Sequence, residues 1–189
     1  MKQNKITLSD FTYCTLLSLC ADSVAFEHGK RLHLEISNHP STKIQTALIN
    51  FYGKCGNPEE ALNIFLQLKK LDVVAWNSII NAHGINGNGN KVIELFKDMQ
   101  RSNILPNLIT FQNILNACSH TGMLKDALYF FELMQTQYKI QPQTAHYNCI
   151  VDCFSRAGKL EEAENFIKKI PQPTLITWMS LLSNFVFKL

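Results

Sequence analysis

The stretch Val73–Asn107, VVAWNSIINAHGINGNGNKVIELFKDMQRSNILPN, decides how the chain folds. Trp76, Ile79, Ile80 and Ala82/His83 recur at helical spacing. The run Asn86-Gly87-Asn88-Gly89-Asn90 breaks that pattern as a turn. Val92, Leu95, Phe96 and Met99 then form a second apolar stripe, and Leu105-Pro106-Asn107 ends it. The segment therefore reads as two amphipathic helices and a closing loop. Neither helix can bury its apolar face alone, so the unit needs neighbours.

The rest of the chain supplies them by repetition. A glycine recurs at each predicted inter-helix turn: Gly56, Gly87, Gly122 and Gly158. Five positions later come Ala61, Val92, Ala127 and Ala163, small or short residues where helix backbones should approach closely. Gly29 matches them one unit earlier, with Val24 in the place of the turn glycine. An aromatic opens most first helices (Tyr13, Trp76, Phe111, Tyr147, Trp178), Gln45 being the exception. An aliphatic pair follows each time, as in Leu48/Ile49 and Ile114/Leu115. The register gives a polar lead-in over residues 1–9, then repeats at 10–41, 42–72, 73–107, 108–143 and 144–174. The first helix of an incomplete unit follows at 175–189. Pro106, Pro142, Pro171 and Pro173 fit these divisions as helix-ending residues. No alternating Val/Thr-rich run separates the helices. The expected fold is all-α: a right-handed superhelical solenoid of stacked helix-turn-helix hairpins with one concave face.

The 189 residues are 46% hydrophobic and 17% charged, too apolar for a disordered tail. A net charge of +3 permits an anionic partner without demanding one. No run is apolar enough over sufficient length to span a bilayer, so no membrane partner is expected. Met1–Ser9 lacks an apolar signal core and is not an Arg-rich transit helix. The six cysteines (Cys14, Cys20, Cys55, Cys118, Cys149, Cys153) follow no paired zinc spacing and fall mostly in apolar helical runs. They read as buried free thiols in a reducing compartment.

The repeats resemble those of the pentatricopeptide repeat family. TFQNILNACSHTGMLKDALYFFELMQTQYKIQP resembles its long variant, TALINFYGKCGNPEEALNIFLQLKKLD its short variant, and Val73–Asn107 has the standard length. HYNCIVDCFSRAGKLEEAENFIKKIP resembles the last short repeat of plant-type organelle RNA-editing factors, and ITWMSLL the opening of the extension that follows there. The first repeat is degenerate. The resemblance covers residues 10–189 and implies the PLS subfamily, in which long, short and standard repeats alternate, stopping before the extension and any cytidine deaminase domain of the DYW type.

The resemblance implies single-stranded RNA binding, one base per repeat. The fifth residue of a repeat and its last residue would read the base edge, and the second would pack on the base face. Repeat two offers Thr46 and Asp72 with Lys43, resembling a guanine reader; a carboxylate can accept from adjacent guanine N–H groups. Repeat three offers Asn77 and Asn107 with Val74, resembling a pyrimidine reader. Repeat five offers Asn148 and Thr174 with Ala145, again favouring a pyrimidine. Repeat four offers Gln112 and Gln143 with Ile109, and repeat one offers Cys14 and Ser41 with Phe11; neither is assigned a base. Lys54 and Arg156, late in first helices, would touch backbone phosphates; the alternative is a cation favoured by a helix C-terminus. Asn77 and Asn148 have capping as their alternative, but each lies inside its predicted helix, which favours a groove role.

Other chemistry is weakly signalled. His33-Leu34-Glu35 matches half of a zinc deaminase motif but lacks the P-C-x-x-C segment, and Cys149 and Cys153 sit among core residues. Glu161-Glu162 reads as a solvated helix start. No cofactor or metal is expected, and no catalysis. The remaining alternative is a tetratricopeptide-like scaffold binding peptides, which constant repeat length and a tryptophan-leucine-glycine-tyrosine pattern would have marked. By resemblance, the partners are single-stranded RNA and an RNA-editing deaminase or other organelle RNA-processing factor. The expected location is the mitochondrion or another organelle. The edited cytidine would lie four nucleotides 3′ of the base read by Asn148.

Overall fold

The computed structural model describes residues 8–36 and 40–183, and the side chains as far as Leu181. Most of the lead-in, and Leu182, Phe185, Val186 and Phe187 of the apolar tail, therefore lie outside the described side chains. Among the described residues there are eleven α-helices and no strand. They are α1 (Asp10–Asp22), α2 (Phe26–Glu35), α3 (Thr42–Lys54), α4 (Pro58–Leu66), α5 (Val73–Ile85), α6 (Gly89–Arg101), α7 (Leu108–Thr121), α8 (Leu124–Thr136), α9 (Thr144–Arg156), α10 (Leu160–Ile167) and α11 (Leu175–Ser183). They fall into two compact bodies, Met1–Ala82 and His83–Leu189.

Each hairpin turn is built the same way. A residue in the left-handed region follows the first helix, and the next N–H reaches back to a carbonyl five residues earlier. That is the helix-ending geometry in which glycine is favoured. The bonds are Asn57 to Tyr52 (2.9 Å), Asn88 to His83 (3.0 Å), Met123 to Cys118 (2.9 Å) and Lys159 to Phe154 (2.9 Å). Gly56, Gly87, Gly122 and Gly158 occupy the left-handed position with φ of 71–80°. The first turn repeats the bond, Ala25 to Cys20 at 2.8 Å, but puts Val24 there with φ of 51°. A β-branched residue in that region is strained.

First helices begin on capping side chains. Ser9, Ser41, Asp72, Asn107 and Thr174 each accept the N–H of the residue three further on. Asn57 does the same for α4, ahead of Pro58 and two glutamates in the first turn.

In the first body, α1 packs on α3 and each of them on its own second helix. Gly29 lies directly against the Phe51 ring, where an added side chain would collide. Phe26, Phe51, Tyr52 and His33 form an aromatic cluster, with Phe51 and Tyr52 centroids 4.9 Å apart. Phe65 meets Trp76 edge-on at 4.8 Å, seating α5 on α4. In the second body, α7 packs on α9 and α9 on α11, while α8 and α10 also reach the following first helix. Phe96, Phe111, Phe130 and Tyr138 fill one layer; Phe131, Tyr147, Phe154 and Phe166 fill the next, over Val151, Ile167 and Ile170. Ala61, Val92, Ala127 and Ala163 are buried, the small residues that permit this close approach.

Candidate nucleic-acid interface

Three register positions of the first helices carry the candidate site. The second residue of each is exposed: Phe11 (80%), Val74 (56%), Ile109 (58%) and Ile176 (64%) are apolar, and Lys43 and Ala145 are exposed too. A lone exposed apolar residue is ordinary. The same register position exposed in every first helix is a pattern that core packing does not explain.

The fifth residues of the five complete hairpins are half-buried or more, whereas Met179, the fifth of α11, is 56% exposed. Asn77 is 7% exposed. Thr46 donates its hydroxyl to the Thr42 carbonyl at 2.9 Å, leaving its oxygen lone pairs for other partners. Cys14 lies near Lys43 of the next first helix, whose charge partly offsets the rise in thiol pKa caused mainly by burial and then by Asp10. Fifth and second residues of successive hairpins are thus neighbours within the first body. In the second body, Gln112, Ala145 and Asn148 line one cavity of about 310 Å³, with Asn116, Ser119, Cys149 and Asp152 on its walls.

The residues preceding the first helices are the caps, a role that sequence reading missed for this position. Asp72 Oδ1 accepts the Ala75 N–H at 2.9 Å. Asn107 Oδ1 accepts from the Thr110 N–H and hydroxyl, both at 3.1 Å, and the Thr110 hydroxyl accepts the Asn107 N–H at 3.0 Å. At α9 the third helical residue, His146, makes the reciprocal contact that Thr110 makes at α7. Its Nδ1 accepts the Gln143 N–H at 3.1 Å, and its Nε2 donates to the Leu108 carbonyl at 3.1 Å. The run of Ser, Ser, Asp, Asn and Thr at these positions was the available signal.

The expected pairs fare differently. Asn148 and Thr174 are joined through Thr177: its hydroxyl donates to Asn148 Oδ1 at 2.7 Å and lies 3.1 Å from Thr174 Oγ1. Gln112 and Gln143 line different cavities, Gln143 facing a larger one of about 550 Å³ with Tyr147 and Pro171. Gln112 Nε2 donates to Asn116 Oδ1 and Cys149 Sγ, each at 3.2 Å, and its Oε1 is buried without a partner. Its amide is turned into the protein.

Both candidate phosphate-contact cations have protein partners. Lys54 meets Asp22 of the preceding hairpin at 2.5 Å, and Arg156 meets Asp152 of its own helix at 2.8 Å. Asp152 also accepts a short hydrogen bond from Ser119.

The thiols differ from a plain apolar reading. Cys153 and Cys118 are core residues, but Cys149 donates to Asn116 Oδ1 at 2.9 Å within a polar cluster. Burial pushes all three up to about 12, so they are held as neutral thiols. His33 Nδ1 pairs with the Tyr52 hydroxyl at 2.8 Å, and burial lowers its pKa.

Comparison with known proteins places these features. The family model described as "PPR repeat family" matches residues 71–120, and the "PPR repeat" model matches residues 46–73, 109–137 and 145–172. Two Arabidopsis thaliana relatives, pentatricopeptide repeat-containing proteins At4g33990 and At3g03580, are 39% and 38% identical over 186 residues. Each match takes in 96% of this chain but only 23% and 21% of the relative, so the chain spans less than a quarter of their length. The crystal structure of maize PPR10 in complex with an 18-nt psaJ RNA element matches all of this chain and 29% of that one, with a TM-score of 0.84 at 20% identity. That likeness shows the fold, an all-α solenoid of helical hairpins. Matches that recur at successive hairpins, over more than half of the residues, leave one assignment: the chain belongs to the pentatricopeptide repeat family.

Proposed function

We propose that this chain binds single-stranded RNA, one base per hairpin, with exposed second residues on the base faces and, on the base edges, the fifth residue and the last residue of the same repeat. The observation that carries the reading is the exposed, large apolar side chain at the same register position of four of the six first helices, Phe11, Val74, Ile109 and Ile176. Stacked bases contribute on the order of 1–3 kcal/mol each, and apolar faces suit them without regard to sequence. Membership of a family that includes maize PPR10, solved with an RNA element, supports the same reading.

With repeats bounded at 10–41, 42–72, 73–107, 108–143 and 144–174, RNA running parallel to them has the site 5′-N-G-(C/U)-N-(C/U)-3′. Thr46 with Asp72 selects the guanine, Asn77 with Asn107 the first pyrimidine, and Asn148 with Thr174 the second. Repeat four stays undecoded, and its physical reason is the inward-turned Gln112 amide. The alternating repeat lengths favour the plant-type PLS subfamily. The role that fits is a specificity factor for organelle transcripts, recruiting a deaminase for C-to-U editing rather than catalysing it, with the mitochondrion as one such compartment.

Fluorescence anisotropy on short RNAs tests the reading. The matched site should bind more tightly than a scrambled one and more weakly as salt rises. Equal affinity after a guanine-to-adenine change at the second base would refute the decoding. Binding to peptides with no RNA preference would favour a scaffold.

A further inference from the structure

Asn148 is the fifth residue of α9 and lines the 310 Å³ cavity. Its amide is not free to turn. Thr177, at the third position of α11 and fully buried, lies 2.7 Å from Asn148 Oδ1. That separation suits O–H···O, whose usual length is about 2.7–2.8 Å, better than N–H···O at about 2.9–3.0 Å. The hydroxyl proton of Thr177 therefore goes to Asn148. The Thr177 oxygen then accepts from the Thr174 N–H at 3.1 Å and from the Thr174 hydroxyl at 3.1 Å. Thr174 Oγ1 in turn accepts the Thr177 N–H at 3.4 Å. Every polar group of Thr177 has a partner, as a fully buried threonine requires. Among the described residues Asn148 Nδ2 has no hydrogen-bond partner. The amide nitrogen is left for a ligand, and Thr174, engaged with Thr177, acts on the choice through that contact.

We propose that Thr177 is a positioning residue that sets which base the fifth hairpin reads: it turns the Asn148 amide so that its NH2 group is the one offered, and the slot selects cytosine over uracil. This rests on the RNA-binding reading above. A donor finds the acceptors N3 and O2 side by side on cytosine. On uracil it meets the N3–H donor between two carbonyls. An amide able to flip would serve either base; one locked in this sense serves cytosine better.

The test uses the full chain and two RNAs that differ only by cytosine or uracil at the fifth base of the site. The wild type should favour cytosine about five- to tenfold, the equivalent of one hydrogen bond. Thr177→Val, which cannot donate, should bring the ratio to about one. Thr177→Ser restores the hydroxyl and should restore the ratio. Asn148→Asp keeps the Thr177 bond but offers an oxygen, so the preference should reverse towards uracil. If Thr177→Val keeps the wild-type ratio while Asn148→Ala abolishes it, the positioning role fails and RNA reading stands. A wild type with no cytosine preference, or Asn148→Asp without reversal, also overturns the proposal. Should the wild type bind both RNAs no better than a scrambled one, the underlying RNA-binding reading fails with it.

Discussion

Val24→Gly should stabilise the protein, and the repeated turn gives the size of the effect. Val24 holds φ of 51° where four other turns hold glycine, and its carbonyl-to-amide closure is otherwise the same. A left-handed non-glycine residue costs about 1–3 kcal/mol, and β-branching puts valine towards the upper end. Glycine gives back about 0.5–1 kcal/mol through its larger unfolded-state entropy. Val24 is 61% exposed, so lost burial takes about 0.5 kcal/mol more. The balance is a gain of about 1 kcal/mol. Gly122→Val is the converse: nothing lies within 4 Å of its missing Cβ, so the cost there is conformational alone, about 1–2 kcal/mol. Repeat proteins need not unfold in one step, so hydrogen exchange is the right assay. The Ala25 amide, which closes the turn onto Cys20, should exchange about fivefold more slowly in Val24→Gly. Unchanged or faster exchange there, with Gly122→Val destabilised as calculated, would refute the strain assigned to Val24.

Other consequences are testable by stability and reactivity. Ser41→Ala removes a helix cap and should lower stability by about 1 kcal/mol in urea unfolding, while Asp72→Ser, which keeps a capping oxygen, should change it little. Gly29→Ala should cost about 1–3 kcal/mol by the same measurement, because the new methyl meets the Phe51 ring. Cys118, Cys149 and Cys153, held at about 12, should resist iodoacetamide at pH 8 in the native protein and react after unfolding. His33 has a folded pKa below its unfolded 6.5, so it binds more proton when unfolded; its contribution is present above pH 6.5 and lost as pH falls through the folded value. The His33→Phe variant should therefore lose less stability than wild type between pH 7 and pH 5 in thermal melts.

The fold was legible because its determinants are local. Helical periodicity, the glycines at 56, 87, 122 and 158, and the small residues five positions on each act within one hairpin. Even the odd Val24 could be aligned with the turn glycines, though its strain could not be read without φ. The candidate site could be read from the sequence only as a set of positions, not of orientations. Which way an amide faces depends on side chains a repeat away: Thr177 lies 29 residues from Asn148, Cys149 lies 37 from Gln112, and Asp22 lies 32 from Lys54. No periodicity encodes those partners. Lys54 looked like an unattached cation for the same reason, whereas the partner of Arg156, Asp152, stands four residues back on its own helix, a spacing that sequence does encode.

The cap role constrains the proposed code itself. A residue before a first helix must satisfy the helix N-terminus before it can address a base, so its chemistry is limited to the good caps, Ser, Thr, Asp and Asn. Asp and Asn keep a second polar atom after capping with Oδ1; Ser and Thr do not. Repeat two, ending on Asp72, can thus cap and discriminate together, whereas in repeat five Thr174 is occupied by Thr177. Gln143 lies outside the good-cap set, and His146 takes over the backbone partner beside it. Selectivity should therefore be steepest at the second base, weaker at the fifth and near zero at the fourth. A base-by-base substitution series that ranked the fourth position first would contradict the link between capping and reading.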